Sequence, residues 1–293
     1  MGTDVKARPA ARSLDLTVVQ RHWVELVAWA AFIVYWVPQF GYFLKAWSNP
    51  DGYYSHGYLI PFMCAWTAWL KKNEAARETP RPSLWALGLL VVFVAAATLF
   101  GMQNSLTMRG LVFPASLAFF VATLYGWNFV RLFSFPIFYL YFLCPIPEFL
   151  LTQIAFRVQI WSTQVATLLA KLMFIDSYRV GTGIQTDNVA VEVGAPCSGF
   201  RMLVALTAFA IFLVYAVKGE TWRKALFVLI SMPLAVLVNS LRVALLVMVG
   251  HYWDPTLVPV LHDYSGYVVL VVAFAVMYGI ARLLGCREFR LMQ

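Results

Sequence analysis

The chain has 293 residues, of which 61% are hydrophobic and only 12% charged. A soluble domain of this length carries roughly twice that charged fraction, so the long apolar runs between Trp23 and Leu284 mark an integral membrane protein. The net charge of +8 comes without any basic-aromatic module, which excludes nucleic-acid binding as its reading; the cations gather in loops, as on the cytoplasmic side of membrane proteins.

In chain order, residues 1–22 form a basic segment (Lys6, Arg8, Arg12, Arg21) placed in the cytoplasm. The apolar run after it is too long for the core of a cleaved signal peptide and reads as a retained first span. Crossing the hydrocarbon takes about twenty residues. Spans are expected at 23–43, 57–71, 83–102, 106–126, 129–143, 199–217, 223–250 and 264–284. Of these, 57–71 is short, and 129–143 holds Pro136 and ends at "CPIPEF", where two prolines stop a helix.

The segment 151–174 is apolar enough to cross, yet Gln153, Arg157, Gln164 and Lys171 recur along it at helical steps. Topology arbitrates. The stretches 71–82 (Lys71, Lys72, Arg77, Arg81) and 216–224 (Lys218, Arg223, Lys224) and the tail (Arg282, Arg287, Arg290) are basic, hence cytoplasmic. Five spans from a cytoplasmic N-terminus leave Cys144 outside. The count then closes only if 151–174 does not cross, so it is expected as an amphipathic helix on the outer face. Residues 178–194 carry Gly181, Gly183 and a Thr186–Asp187–Asn188 turn, and Val189, Val191 and Val193 alternate. This predicts a short β-hairpin. The expected fold is an all-α integral membrane protein of about eight transmembrane helices plus these two outer elements. A single membrane domain covers 23–285, a short tail covers 286–293, and both termini are cytoplasmic.

The four cysteines, Cys64, Cys144, Cys197 and Cys286, form no Cys-x-x-Cys pair, so neither a redox motif nor a zinc ribbon is indicated. A Cys144–Cys197 disulfide stays open. No metal or organic cofactor is signalled.

Ionisable groups at membrane depth need a reason, because each costs roughly 2.5–3.5 kcal/mol on insertion scales. Cys197 stands where hairpin gives way to helix in "GAPCSGFRML". The free N–H groups and dipole of a helix start favour an anion and lower a thiol pKa. Gly199 allows close approach of a substrate backbone, and Arg201 adds positive potential one turn on. The alternative is an inert buried cysteine with Arg201 reaching for headgroups. In "NSLRV", Asn239 and Arg242 share a helix face, with Arg242 well before the helix end. An arginine facing the bundle needs an acceptor or binds one, and its fork suits a carboxylate or an oxyanion. In "VLHDYSGY", His262 opens the last span and can titrate near neutral pH, while Asp263 is a candidate helix cap. The topology brings these three sites to one outer level on consecutive spans. Thiol, guanidinium and imidazole make a workable set for acyl transfer.

These motifs carry a family resemblance. "CSGFR", then "NSLR", then a histidine opening the last span is similar to the exosortase/archaeosortase family, and "YYSHGYLIPF" (53–62) resembles that family's N-terminal signature. The resemblance implies eight transmembrane helices in the bacterial cytoplasmic (inner) membrane, with the active site on its outer face. It also implies a cysteine protease or transpeptidase with Cys197 as nucleophile, Arg242 as oxyanion or substrate stabiliser and His262 as acid/base. Ser198, Gly199, Arg201 and Asn239 fall on supporting positions. The implied partners are membrane-anchored exported proteins whose C-terminal sorting signal joins a short motif such as Pro-Glu-Pro, a hydrophobic helix and a basic tail. An envelope acceptor of unknown chemistry receives the cleaved protein. His56 lies in the outer loop and suits substrate docking or structural support. Two rival readings remain: a transporter or channel with Arg242 as an anion site, and a non-catalytic assembly protein in which Arg242 pairs with Glu192 or Asp263.

Overall fold

A computed structural model describes residues 16–49, 52–194 and 199–285, without the side chains of residues 16–21, Asp263 and Tyr267. By its internal contacts the chain divides into two units, Met1–Gly41 and Tyr42–Gln293. Helix α1 (Leu16–Ser48) runs through the boundary. Within the first unit it carries an aromatic run in which Trp29 meets Phe32 and Phe32 meets Trp36 one turn on, while Tyr35 stands edge-on to its neighbour Trp36.

The second unit holds a one-turn 3-10 helix (Ser55–Tyr58), α2 (Ile60–Leu70), α3 (Lys72–Ala75), α4 (Leu84–Met102) and α5 (Leu106–Leu124). Then come α6 (Trp127–Leu132), α7 (Ser134–Tyr139), a second 3-10 turn (Leu140–Leu143), α8 (Glu148–Leu172), three short strands, α9 (Phe200–Ala216), α10 (Thr221–Tyr252) and α11 (Leu257–Leu283). Among the described residues five helices are long and apolar enough to cross a membrane: His22–Ser48 within α1, α4, α5, α10 and α11. A sixth would be Ser134–Leu143 with Glu148–Leu172, a pair bent by 79°. The other runs read as spans fold shorter. The 57–71 run opens with a 3-10 turn and leaves 11 helical residues in α2. The 129–143 run breaks at Phe133 and again at Leu140. The 199–217 run gives a 17-residue apolar helix, α9.

Segment 151–174 falls almost entirely within the one helix α8, whose polar stripe is exposed beside large apolar residues such as Phe156 and Trp161. Ala155, Val158, Ser162, Thr163, Ala166, Thr167 and Ala170 are buried, while Gln153, Arg157, Gln164 and Lys171 are exposed. Small residues every three or four positions let α8 lie close along α10. Ala155 and Val158 share a cluster with Phe200 and Val236. Ala166 and Ala170 share another with Val243, Ala244 and Val247. Both sequences rise together, so the two helices run parallel.

The expected hairpin is a three-stranded antiparallel meander. Strands β1 (Tyr178–Val180), β2 (Gly183–Gln185) and β3 (Ala190–Glu192) pair in that order, and the sequence reading missed one of them. A two-residue turn at Gly181–Thr182 joins the first two. The valine alternation holds: Val191 and Val193 turn inward with Ile184 onto α8 and α10, and Glu192 faces out. Asn188 Nδ2 donates to His251 O at 3.0 Å, which fixes the β2–β3 loop to the end of α10.

Candidate active site

The sheet leads to α9 through residues 195–198. Cys197 and Ser198 lie outside the described residues. The described chain resumes at Gly199, which has φ +77° in the left-handed region. A Cβ there would stand 3.0 Å from Asn239 Nδ2 and 3.1 Å from Asn239 Cβ and Cγ. The left-handed conformation favours glycine and the space for a Cβ is tight, and the entrance to α9 is seated directly on Asn239 of α10.

One turn above Asn239, the Arg242 side chain is 7% exposed. It does not reach out to headgroups. Its Nε donates to Ser265 Oγ at 2.9 Å, and Nη2 donates to the main-chain carbonyl of His262 at 2.6 Å. Ser265 Oγ also donates to His262 O at 3.2 Å, closing a three-membered arrangement on α11. No carboxylate pairs with Arg242 among the described residues, and Glu192, one proposed partner, faces away on β3. Among the described residues the guanidinium is thus buried on neutral acceptors, an arrangement that suits an anion.

His262 does not open the last helix. Helix α11 begins at Leu257, so His262 and Asp263 lie in its second turn. Asp263 is therefore not the cap; Thr256 occupies that position, and Asp254 Oδ1 accepts from Thr256 N at 2.8 Å. Pro259 does not delay the start, because a first-turn N–H has no helical partner to lose. Ser265 was not singled out from sequence, although its place three residues after His262, on the same face, was a readable signal.

The family description of transmembrane exosortases (Exosortase_EpsH) matches residues 47–279, most of the chain. The chain belongs to the transmembrane exosortase family. No curated protein and no solved structure gives a significant match.

In this exosortase the loop before α2 closes over the start of α9. Arg201 Nε donates to Gly52 O at 2.8 Å, so Arg201 docks this loop. Tyr53 meets Phe200 edge-on with ring centroids 5.1 Å apart. Tyr54 Oη accepts from Ile146 N at 2.9 Å, and burial pushes its phenol up to about 12. Trp47 Nε1 donates to Leu143 O at 3.3 Å, and a Cβ on Gly57 would collide with the same indole. His56 sits inside this knot beside Tyr54, and among the described residues neither ring nitrogen has a partner at good hydrogen-bond geometry. Burial pulls its pKa down to about 4, against a weaker opposing pull from the backbone of Phe142 and Tyr53, so the ring is neutral at pH 7.

Cys144 is a free thiol whose Sγ donates to Gly110 O at 3.1 Å, which removes the Cys144–Cys197 bridge left open by the sequence. Cys64 is likewise free and buried, donating to Pro136 O at 3.3 Å. Among the described residues no group of three or more His, Cys, Asp or Glu is arranged to hold a metal ion.

Proposed function

We propose that this exosortase is a membrane cysteine transpeptidase that cleaves the C-terminal sorting signal of exported proteins. The observation that carries the reading is the buried Arg242 guanidinium, anchored on neutral groups and one turn from the Asn239 on which the entrance to α9 is seated. A buried cation with no carboxylate partner among the described residues is costly unless an anion visits it. The anion we assign is the oxygen of a tetrahedral intermediate.

Cys197 precedes Gly199 by two residues. Its thiolate adds to the scissile carbonyl, and the resulting oxyanion is held by the N–H groups of Arg242 that α11 leaves free. His262, protonated, gives its proton to the amine as the C–N bond breaks, and a thioester remains on Cys197. An amine of an envelope acceptor, or water, then attacks the thioester. Neutral His262 takes the proton from the attacking group, and the thiolate leaves. Ser198, Gly199, Arg201, Asn239 and Asp263 support this set, and His56 supports the loop over it.

The length of α10 supports a level for the site near one membrane surface. Thr221 to Asn239 spans about 27 Å at 1.5 Å per residue, close to the roughly 30 Å hydrocarbon layer. Trp222, Arg223 and Lys224 suit the headgroup level at the start of that span. Asn239 and Arg242 then fall at the opposite interface, the outer face if the basic loops are cytoplasmic. A sorting signal anchored by its own helix meets such a site by diffusing in the plane of the membrane, with its basic tail inside. Eight crossings would require α2, the α6–α7 run and α9 to cross as short helices.

The test is co-expression with a reporter bearing such a signal, comparing Cys197→Ala, Arg242→Ala and His262→Ala. Loss of processing in all three, at normal protein levels, is expected. Normal processing by the Cys197→Ala protein would remove the transpeptidase reading.

A further inference from the structure

The side of α8 that faces away from α10 carries a surface groove lined by Gln153, Phe156, Arg157, Ile160 and Trp161. Phe156 and Trp161 are more than half exposed. Arg157 is exposed and makes no hydrogen bond or ion pair among the described residues. No acidic side chain lines the groove.

Its level in the fold follows from its neighbours. Arg157 lies between Ala155 and Val158, which pack with Phe200 and Val236. Phe200 is the first residue of α9, a predominantly apolar helix whose 17 residues reach about 25 Å, close to the thickness of the hydrocarbon. The groove therefore sits where the apolar layer ends, whichever side of the membrane that is. A lone cation between aromatic walls at this level matches a phosphodiester in charge and two acyl chains in surface. A soluble anion would gain nothing from Phe156 and Trp161.

We propose that this groove binds an anionic phospholipid. The guanidinium fork of Arg157 takes the phosphate oxygens, with the Gln153 amide beside it, and the first methylenes of the acyl chains lie along Phe156, Ile160 and Trp161. This site is separate from the Arg242 site and does not rest on the transpeptidase reading.

Native mass spectrometry of the full chain, titrated with phosphatidylglycerol or with phosphatidylcholine of the same acyl chains, tests it. The wild-type protein retains phosphatidylglycerol more tightly. Arg157→Gln lowers that affinity about fivefold, the loss expected for one interfacial cation, and leaves phosphatidylcholine unchanged. Trp161→Ala weakens both lipids. Arg179→Gln, an exposed arginine on β1, changes neither. Equal phosphatidylglycerol retention by wild type and Arg157→Gln would overturn the proposal, as would an equal loss in Arg179→Gln. If Arg157→Gln keeps the lipid but slows processing of a signal-bearing substrate, the groove belongs to the substrate and the lipid site falls.

Discussion

Arg242 is bound to the main chain of His262, not to its ring: Nη2 meets the His262 carbonyl at 2.6 Å while Nε holds Ser265. The backbone that carries the proposed acid/base is thereby tied to the proposed oxyanion group, and the two cannot move apart without breaking a charge-assisted bond.

This gives the first prediction. Arg242→Lys keeps the charge but cannot hold two acceptors in a fixed plane and still present free N–H groups. Processing should fall about 100-fold or more, the range for losing an oxyanion donor. Ser265→Ala should cost far less, because the bond to the His262 carbonyl survives. Rates of reporter cleavage in membranes distinguish the two; equal effects would refute the fork.

Gly199→Ala introduces a Cβ into a left-handed residue and against Asn239. A loss of about 1–2 kcal/mol is expected from conformation alone. Adding Asn239→Ala should relieve the crowding without relieving the backbone, so thermal unfolding in detergent should show partial rescue only.

The third prediction concerns pH. The His56 pKa is lowered in the folded protein from 6.5 to about 4. Its contribution to stability is therefore complete above about pH 6.5 and is lost as pH falls from there towards 4, where the unfolded chain binds the extra proton. The loss is on the order of 3 kcal/mol. His56→Phe should flatten unfolding temperature across this window, and an unchanged acid-side decline would mean another group is responsible.

A membrane-impermeant maleimide applied to intact cells should label through Cys197 alone. Cys64 and Cys144 are buried thiols bonded to carbonyls, and Cys286 follows the last helix on the expected inner side. Labelling that survives in Cys197→Ser, or that needs the inner face opened, would reverse the orientation.

The long helices were legible from hydropathy. The runs 83–102 and 106–126 became Leu84–Met102 and Leu106–Leu124. Where the reading differed, an apolar run was interrupted or short, and hydropathy does not see backbone breaks such as the one at Phe133. The start of α11 was placed seven residues late because Pro259 and the polar "HDYS" look like a loop, whereas a first-turn proline costs nothing. The spacing of Asn239 and Arg242 forecast a shared, inward face, and both are buried. The acceptors Ser265 Oγ and the His262 carbonyl were not forecast, because a hydroxyl and a peptide carbonyl leave no charge signal in the sequence. Gly52 and Tyr53 were missed as partners of α9 because contacts across some 150 residues leave no trace in local pattern.

The meander rests on α10 through Val191 and Val193, and Gly199 rests on α10 through Asn239. The end of the sheet and the start of α9 thus stand on one helix. Any tilt or sliding of α10 carries both footings together with Arg242.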